Sequence, residues 1–175
     1  LPDTEIQIVD LEEGERVLGI GERGEIRARG LQIMAGYRNL PEETAETLRN
    51  GWLYTGDIGE FDEDGYLYIR DRKKDMVISS GYNVYPREVE EVLYQNPQIS
   101  EAAVIGVPDN YRGEVLVSFV VLKPDAHTSE VELLKYCATN LAKYKVPARI
   151  LFVDTLPKTS VGKINKNDLR TSVEL

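Results

Sequence analysis

Two stretches place charged side chains where they could handle an anionic or hydroxyl-rich ligand. The first is LPKTSVGKI (156–164), in which Lys163 follows a glycine in a loop of small residues. A glycine–lysine pair invites comparison with the P-loop, G-x-x-x-x-G-K-[ST], whose backbone amides cradle phosphate. That template fails twice, because Pro157 stands where the first glycine belongs and Ile164 follows the lysine. The second stretch, NGWLYTGDIGEFDEDGYLYIRDRKKD (50–75), holds TGD (55–57) and then Arg70, Arg72, Lys73 and Lys74 within five residues. Asp57 can accept hydrogen bonds from a diol where the neighbouring glycine lets backbone approach a ligand, or it can cap a turn. The RDRKK run has its own bland reading as a solvated joint between domains.

Composition narrows the field. Residues 1–71 carry 7 Lys/Arg against 17 Asp/Glu, a net of −10, whereas residues 72–175 carry 14 against 13, a net of +1. The basic residues concentrate in 143–170, seven against two acids, which suits one small anion better than a nucleic-acid duplex with its demand for a broad basic face. No nucleic-acid partner is expected. No stretch approaches the roughly 20 apolar residues of a membrane span, and LPDTEIQIVD has neither the basic nor the apolar region of a secretion signal. The single cysteine, Cys137, cannot form an internal disulfide and fits a reducing, cytoplasmic compartment.

The elements that must position these residues follow from periodicity. EIQIV (5–9), EIRARG (25–30) and YLYIRD (66–71) read as short strands between glycine-bearing turns, and PEETAETL (41–48) as a helix opened by proline. Beyond RDRKKD the pattern mixes. MVISS (76–80), EAAVIGV (101–107), EVLVSFVVL (114–122) and RILFV (149–153) read as strands, and PREVEEVLYQN (86–96) as a helix with Val89, Val92 and Leu93 at helical spacing. Ser129 and Glu132 form a capping box for a helix to about Leu141, with Val131, Leu134, Ala138 and Leu141 on its apolar face. The fold class is α+β, with a boundary near residues 71–75.

Other signals are weak. GIGERG (19–24) fits G-x-G-x-x-G, but a strand follows it where the dinucleotide fingerprint needs a helix, so it reads as a turn. DEDG (62–65) lacks the ligand spacing of a calcium loop and reads as a hairpin turn. His127, the only histidine, lies in a polar loop, and Cys137 sits near the apolar face of its helix, where packing is the simpler role.

Taken together and in order, YTGD, DRKKDMVISSGYNVYPREVEEVL and LPKTSVGKI resemble the last motifs of the adenylate-forming superfamily of acyl-CoA synthetases, luciferases and peptide-synthetase adenylation domains. GYNVYPREVEEVL is similar to the form in bacterial and archaeal long-chain fatty-acid–CoA ligases. The resemblance covers essentially the whole chain. It implies activation of a carboxylate at the α-phosphate of ATP, with release of pyrophosphate, followed by displacement of AMP by the thiol of CoA. It implies ribose contacts from Asp57 and Arg72, a catalytic Lys163 bridging carboxylate and α-phosphate, a hinge at Lys74, and Gly81 lining the pantetheine tunnel of CoA. It divides the chain into 1–71, the β-rich last subdomain of the large AMP-binding domain, and 72–175, the mobile C-terminal domain, with the hinge within 72–75. The implied ligands are ATP, CoA, a fatty acid and Mg2+.

The family's phosphate loop and its Tyr-Gly-x-Thr-Glu stretch have no counterpart here, so those motifs, the acyl pocket and the Mg2+ ligands are expected upstream in a missing N-terminal part of the same enzyme. This stretch alone is expected to be inactive. Peripheral membrane contact stays open for the whole enzyme. So do a medium-chain or aryl acid as substrate, a peptide-synthetase adenylation domain, and a non-catalytic α+β binding module.

Overall fold

The computed structural model describes residues 2–173, and the chain divides between Lys74 and Asp75 into two compact units. The first is built on β4, Trp52–Phe61, a strand that pairs antiparallel with β2 (Gly24–Arg29), β3 (Leu48–Arg49) and β5 (Leu67–Arg72). The sheet continues from β2 to β1 (Glu5–Val9), and the short helix α1 (Pro41–Thr47) leads into β3. Proline at the first helical position of α1 loses no hydrogen bond, and Glu42 and Glu43 favour the positive end of the helix.

β4 is longer than the sequence reading allowed, because that reading gave no strand to residues 52–61. Its period-2 signal is broken at Thr55–Asp57. Glu25 pairs with Ile58 and Arg27 with Tyr54, so β4 bulges opposite Ile26. Gly56 takes φ +71° there, and the Thr55 hydroxyl donates to the Ile26 carbonyl at 2.8 Å. A bulge re-aims the side chains on either side of it, which a regular strand cannot do. The stretches 19–24 and 62–65 are turns: Glu22 N donates to Gly19 O, and Gly65 N to Asp62 O within the β4–β5 hairpin.

In the second unit β8 (Ile99–Asp109) and β9 (Gly113–Leu122) form a long antiparallel ladder. β10 (Arg149–Phe152) joins β9 in parallel, while β6 (Val77–Ser79) and β7 (Tyr82–Val84) form a hairpin that meets β9 at Gly113. Both faces of the ladder are covered. Ala102, Val104, Leu116 and Val120 pack with Val89 and Leu93 of α2 (Pro86–Tyr94) and Leu133 and Cys137 of α3 (Glu130–Asn140). Ala103, Ile105, Val117 and Phe119 pack with Leu156 and with Leu169 of α4 (Lys166–Val173). Double coverage is why these strands read as unbroken apolar runs rather than alternating ones. Each buried aliphatic side chain contributes roughly 1.5–3 kcal/mol of transfer free energy.

The Ser129–Glu132 capping box forms, but the core face of α3 differs from the expected one. Val131 is 75% exposed and Ala138 is exposed, while Leu133 and Cys137, four residues apart, are buried and Leu134 and Leu141 flank them. Both stripes are apolar, and tertiary contact with β10 and α2 selects the one turned by about half a face. Cys137 therefore packs, and burial pushes its thiol up to about 11. His127 is exposed in its loop.

Glu60 on β4 ties the first unit together by ion pairs to Arg23, at 2.8 Å, and to Arg70 of β5. Burial opposes its charge, but hydrogen bonds from Arg70 and Arg23 outweigh this and hold the carboxyl below its ordinary value near 4.5. Its contribution to stability is therefore complete above that value and fades as the pH falls through the lowered folded value. Glu60→Gln is expected to destabilise this unit by about 1–3 kcal/mol at pH 7 and to flatten the acid side of its stability profile. Urea unfolding followed by fluorescence of Trp52, the only tryptophan and buried in this unit, checks it.

Candidate functional site

The β4–β5 register sets Asp57 directly opposite Arg72. The Arg72 guanidinium donates to Asp57 Oδ1 at 2.8 Å, with the two side chains 51% and 26% exposed. The pair so presents an acceptor and a donor together, both partly open to a ligand. That combination matches a vicinal diol, whose hydroxyls both donate and accept. Arg72 also borders an open groove of about 690 Å³, lined by Glu25, Arg49, Tyr54, Gly56 and Lys73 among others.

Behind the pair lies Glu25, a buried carboxylate that sequence reasoning passed over. It accepts from the amide of Gly56 at 3.2 Å and from Lys73 Nζ at 2.8 Å. One side chain thus holds the backbone beside Asp57 and the residue after Arg72. A lone Glu opening a strand carries no sign of a lysine 48 residues on, so only the sheet register discloses it. Of the RDRKK cations, Arg70, Arg72 and Lys73 are ion-paired; Lys74 is exposed and has no ion pair among the described residues.

Lys163 and Gly81 both stand on tight hairpins of the second unit. Around Lys163, Thr159 N donates to Lys163 O at 2.7 Å, Lys163 N to Thr159 Oγ1 at 3.2 Å, and Gly162 takes φ +79° in the turn. This is a three-residue hairpin closed by a left-handed glycine, not a phosphate-cradling loop. The root of Lys163 is fixed from both sides, and its exposed ammonium has no ion pair among the described residues. Lys158, on the same hairpin, pairs with Glu101 of β8 at 2.9 Å.

Gly81 and Ser80 are the two central residues of the β6–β7 turn, with φ +82° and +52°. Positive φ at both positions defines the type I′ turn. Nothing lies within 4 Å of where a Gly81 Cβ would stand, so the turn's backbone, not crowding, calls for glycine. Next to it the ring of Tyr82 stacks on Tyr144 at 4.5 Å. This hairpin meets the ladder at Gly113, opposite Asp109, whereas the Lys163 hairpin is tied to Glu101. Glu101 and Asp109 are eight residue steps apart along β8, about 27 Å at roughly 3.4 Å per residue. The structure brings Asp57 and Arg72 together, and it anchors the hairpins of Lys163 and Gly81 at well-separated places on one ladder.

Among the described residues no group of three His, Cys, Asp or Glu side chains is placed to hold a metal ion, and no helix is long and apolar enough to cross a membrane.

Known proteins resemble this chain in sequence and in fold. Residues 88–163 match the AMP-binding enzyme C-terminal domain. The long-chain-fatty-acid–CoA ligase of Bacillus subtilis (strain 168) is 52% identical over 168 residues, which is 96% of this chain and 30% of that protein. ATP-bound MatB from Rhodopseudomonas palustris has a TM-score of 0.93 at 39% identity, over 99% of this chain and 35% of that one. The o-succinylbenzoate–CoA synthetase of Bacillus subtilis, in complex with the acyl-adenylate intermediate OSB-AMP, has a TM-score of 0.88 at 40% identity, over 97% of this chain and 34% of that one. The chain spans about 30% of the length of the curated ligases it matches.

The left-handed turn at Gly81 yields a stability prediction. Gly81→Leu is expected to cost about 1–2 kcal/mol through backbone strain, and Gly81→Asn clearly less, since Asn tolerates this conformation. Calorimetric unfolding of the two variants checks the ranking and separates strain from any effect on a ligand.

Proposed function

From a chain whose residues 88–163 belong to the AMP-binding enzyme C-terminal domain family, and which matches the corresponding part of adenylate-forming ligases, we propose that the whole enzyme is a long-chain fatty-acid–CoA ligase. It joins a fatty acid to CoA in two steps. A carboxylate oxygen attacks the α-phosphorus of ATP, the bond to the pyrophosphate oxygen breaks, and an acyl adenylate forms. The thiol of CoA then attacks the acyl carbon, its proton is lost, and AMP leaves. The long-chain acid is proposed on the 52% identity to the ligase of that name.

The observation that carries the reading is the Asp57–Arg72 pair. It offers a diol a carboxylate and a guanidinium 2.8 Å apart, set by strand register rather than by flexible loops. In the proposed enzyme these two hold the ribose hydroxyls of ATP. Lys163 brings carboxylate and α-phosphate together, and its ammonium offsets negative charge that moves during attack. A lysine fixed at its root and free at its tip suits that task. Gly81 lies against the pantetheine arm of CoA, where the open space around its Cα leaves room for a thin chain. Lys74 is the hinge about which the second unit presents first the Lys163 hairpin and then the Gly81 hairpin. The wide separation of their anchors along β8 supports that division of labour.

Mg2+ acts with ATP in this scheme, and we propose that its ligands and the triphosphate-binding loop lie in the N-terminal part of the whole enzyme. That part is the partner this chain needs for turnover. We place the enzyme in the cytoplasm, in keeping with a lone buried cysteine, with peripheral contact at the membrane where its acyl substrate resides.

The test uses the whole enzyme with Lys163→Ala. Exchange of pyrophosphate into ATP, dependent on fatty acid, is expected to fall by 100-fold or more, on the order of one lost charge contact to the transition state. Transfer of preformed acyl adenylate to CoA is expected to stay within about threefold. Loss of both half-reactions together, or of neither, contradicts the role given to Lys163.

A further inference from the structure

The residues on either side of Lys74 are each pinned to their own unit. Lys73 Nζ bonds Glu25 of β2 at 2.8 Å, with the carboxylate 5% exposed. Asp75 accepts from Arg170 of α4 at 2.8 Å, with the Asp75 side chain 12% exposed. Glu25 is held further by the Gly56 amide, and Arg170 by Asn167 at 3.0 Å. Both carboxylates are shielded from water, so these pairs are screened less than those on an open surface. Lys74 alone stands between them, exposed and without an ion pair among the described residues.

We propose that Glu25–Lys73 and Asp75–Arg170 act as two clamps that confine rotation between the units to the backbone torsions of Lys74, making Glu25 and Arg170 positioning residues for the two-step reaction. This rests on the reading of Lys74 as the hinge. The physical reason for clamps is precision. A hinge spread over Arg72 to Met76 has many torsions and therefore many end states. A hinge of one residue has few, and each hairpin must arrive at the reacting atoms within a fraction of an ångström to be effective. The clamp on the first unit also protects the ligand pair, because rotation that began at Arg72 would pull its guanidinium from Asp57.

Amide relaxation of the 175-residue chain tests the clamps without any ligand. Order parameters of Lys73 and Asp75 are expected near the rigid value of about 0.85. Glu25→Gln is expected to lower Lys73 toward about 0.6 and leave Asp75 unchanged; Arg170→Gln does the reverse. Lys73→Met, which leaves the Glu25–Gly56 bond in place, repeats the first result, and Lys73→Arg restores rigidity. Native-like values in Glu25→Gln, Lys73→Met and Arg170→Gln overturn the clamps.

The hinge reading is judged separately in the whole enzyme by Lys74→Pro, whose fixed φ blocks rotation. If that variant keeps one half-reaction and loses the other while the relaxation of the clamp variants is unchanged, the hinge stands and the clamps fall. If the clamp variants loosen as expected but Lys74→Pro leaves both half-reactions intact, the hinge reading fails and the positioning role with it. With both in place, Arg170→Gln in the whole enzyme lowers kcat for acyl-CoA formation several-fold with the KM for ATP unchanged, since Arg170 touches no residue of the ribose pair. A parallel change in KM overturns the positioning role.

Discussion

The register of β5 on β4 is the constraint on which the rest depends. It sets Asp57 across from Arg72 and makes their charged groups meet without help from any loop. The two-residue excess of β4 opposite Ile26 turns Thr55–Asp57 out of the regular pleat, and Gly56 supplies the positive φ that the bulge requires. Slipping this register by one residue would send Arg72 to the opposite face and dissolve the pair. Glu60, bonded to Arg23 and Arg70, and Glu25, bonded to Gly56 and Lys73, are the buried acids that resist such a slip. The acidic excess of this region is thus partly internal framework and not only a solvated surface.

The second unit solves a different problem, the presentation of two small loops from a stiff body. Its ladder is buried on both faces by α2 and α3 on one side and α4 on the other, so strain at a hairpin is carried by a core that does not yield. Glycines with φ near +80° at 81 and 162 close the two hairpins tightly. In the proposed reaction one body serves two steps because it carries two loops on separate anchors and can be turned about a short link.

How much of this is legible in the sequence depends on how local the cause is. β8, β9, α2 and the Ser129–Glu132 cap read correctly because runs of β-branched residues, a proline at the first helical position and a capping box are all local signals. β4 escapes because its bulge breaks the alternation and two glycines, Gly56 and Gly59, dilute it. The face of α3 is misjudged because two apolar stripes compete, and only contact with β10 and α2 decides for Leu133 and Cys137. β7 and α4 are short and polar in pattern, and they form because they pack against structure already made. The roles proposed for Asp57, Arg72, Lys74, Gly81 and Lys163 come from motif resemblance. Glu25 and Arg170 come from neither pattern nor motif, since their partners lie 48 and 95 residues away.

The proposed reaction requires one unit to turn relative to the other between the two chemical steps. Leu31 and Tyr111, about 95% and 94% exposed and one in each unit, accept spin labels through Leu31→Cys and Tyr111→Cys, while the buried thiol of Cys137 stays unlabelled. The measurement is the distance distribution between the labels in the whole enzyme, with its other reactive cysteines removed, first with ATP and fatty acid and then with acyl adenylate and CoA. Two distinct distances are expected, each favoured by one ligand set. A single distribution that neither ligand set changes would contradict it.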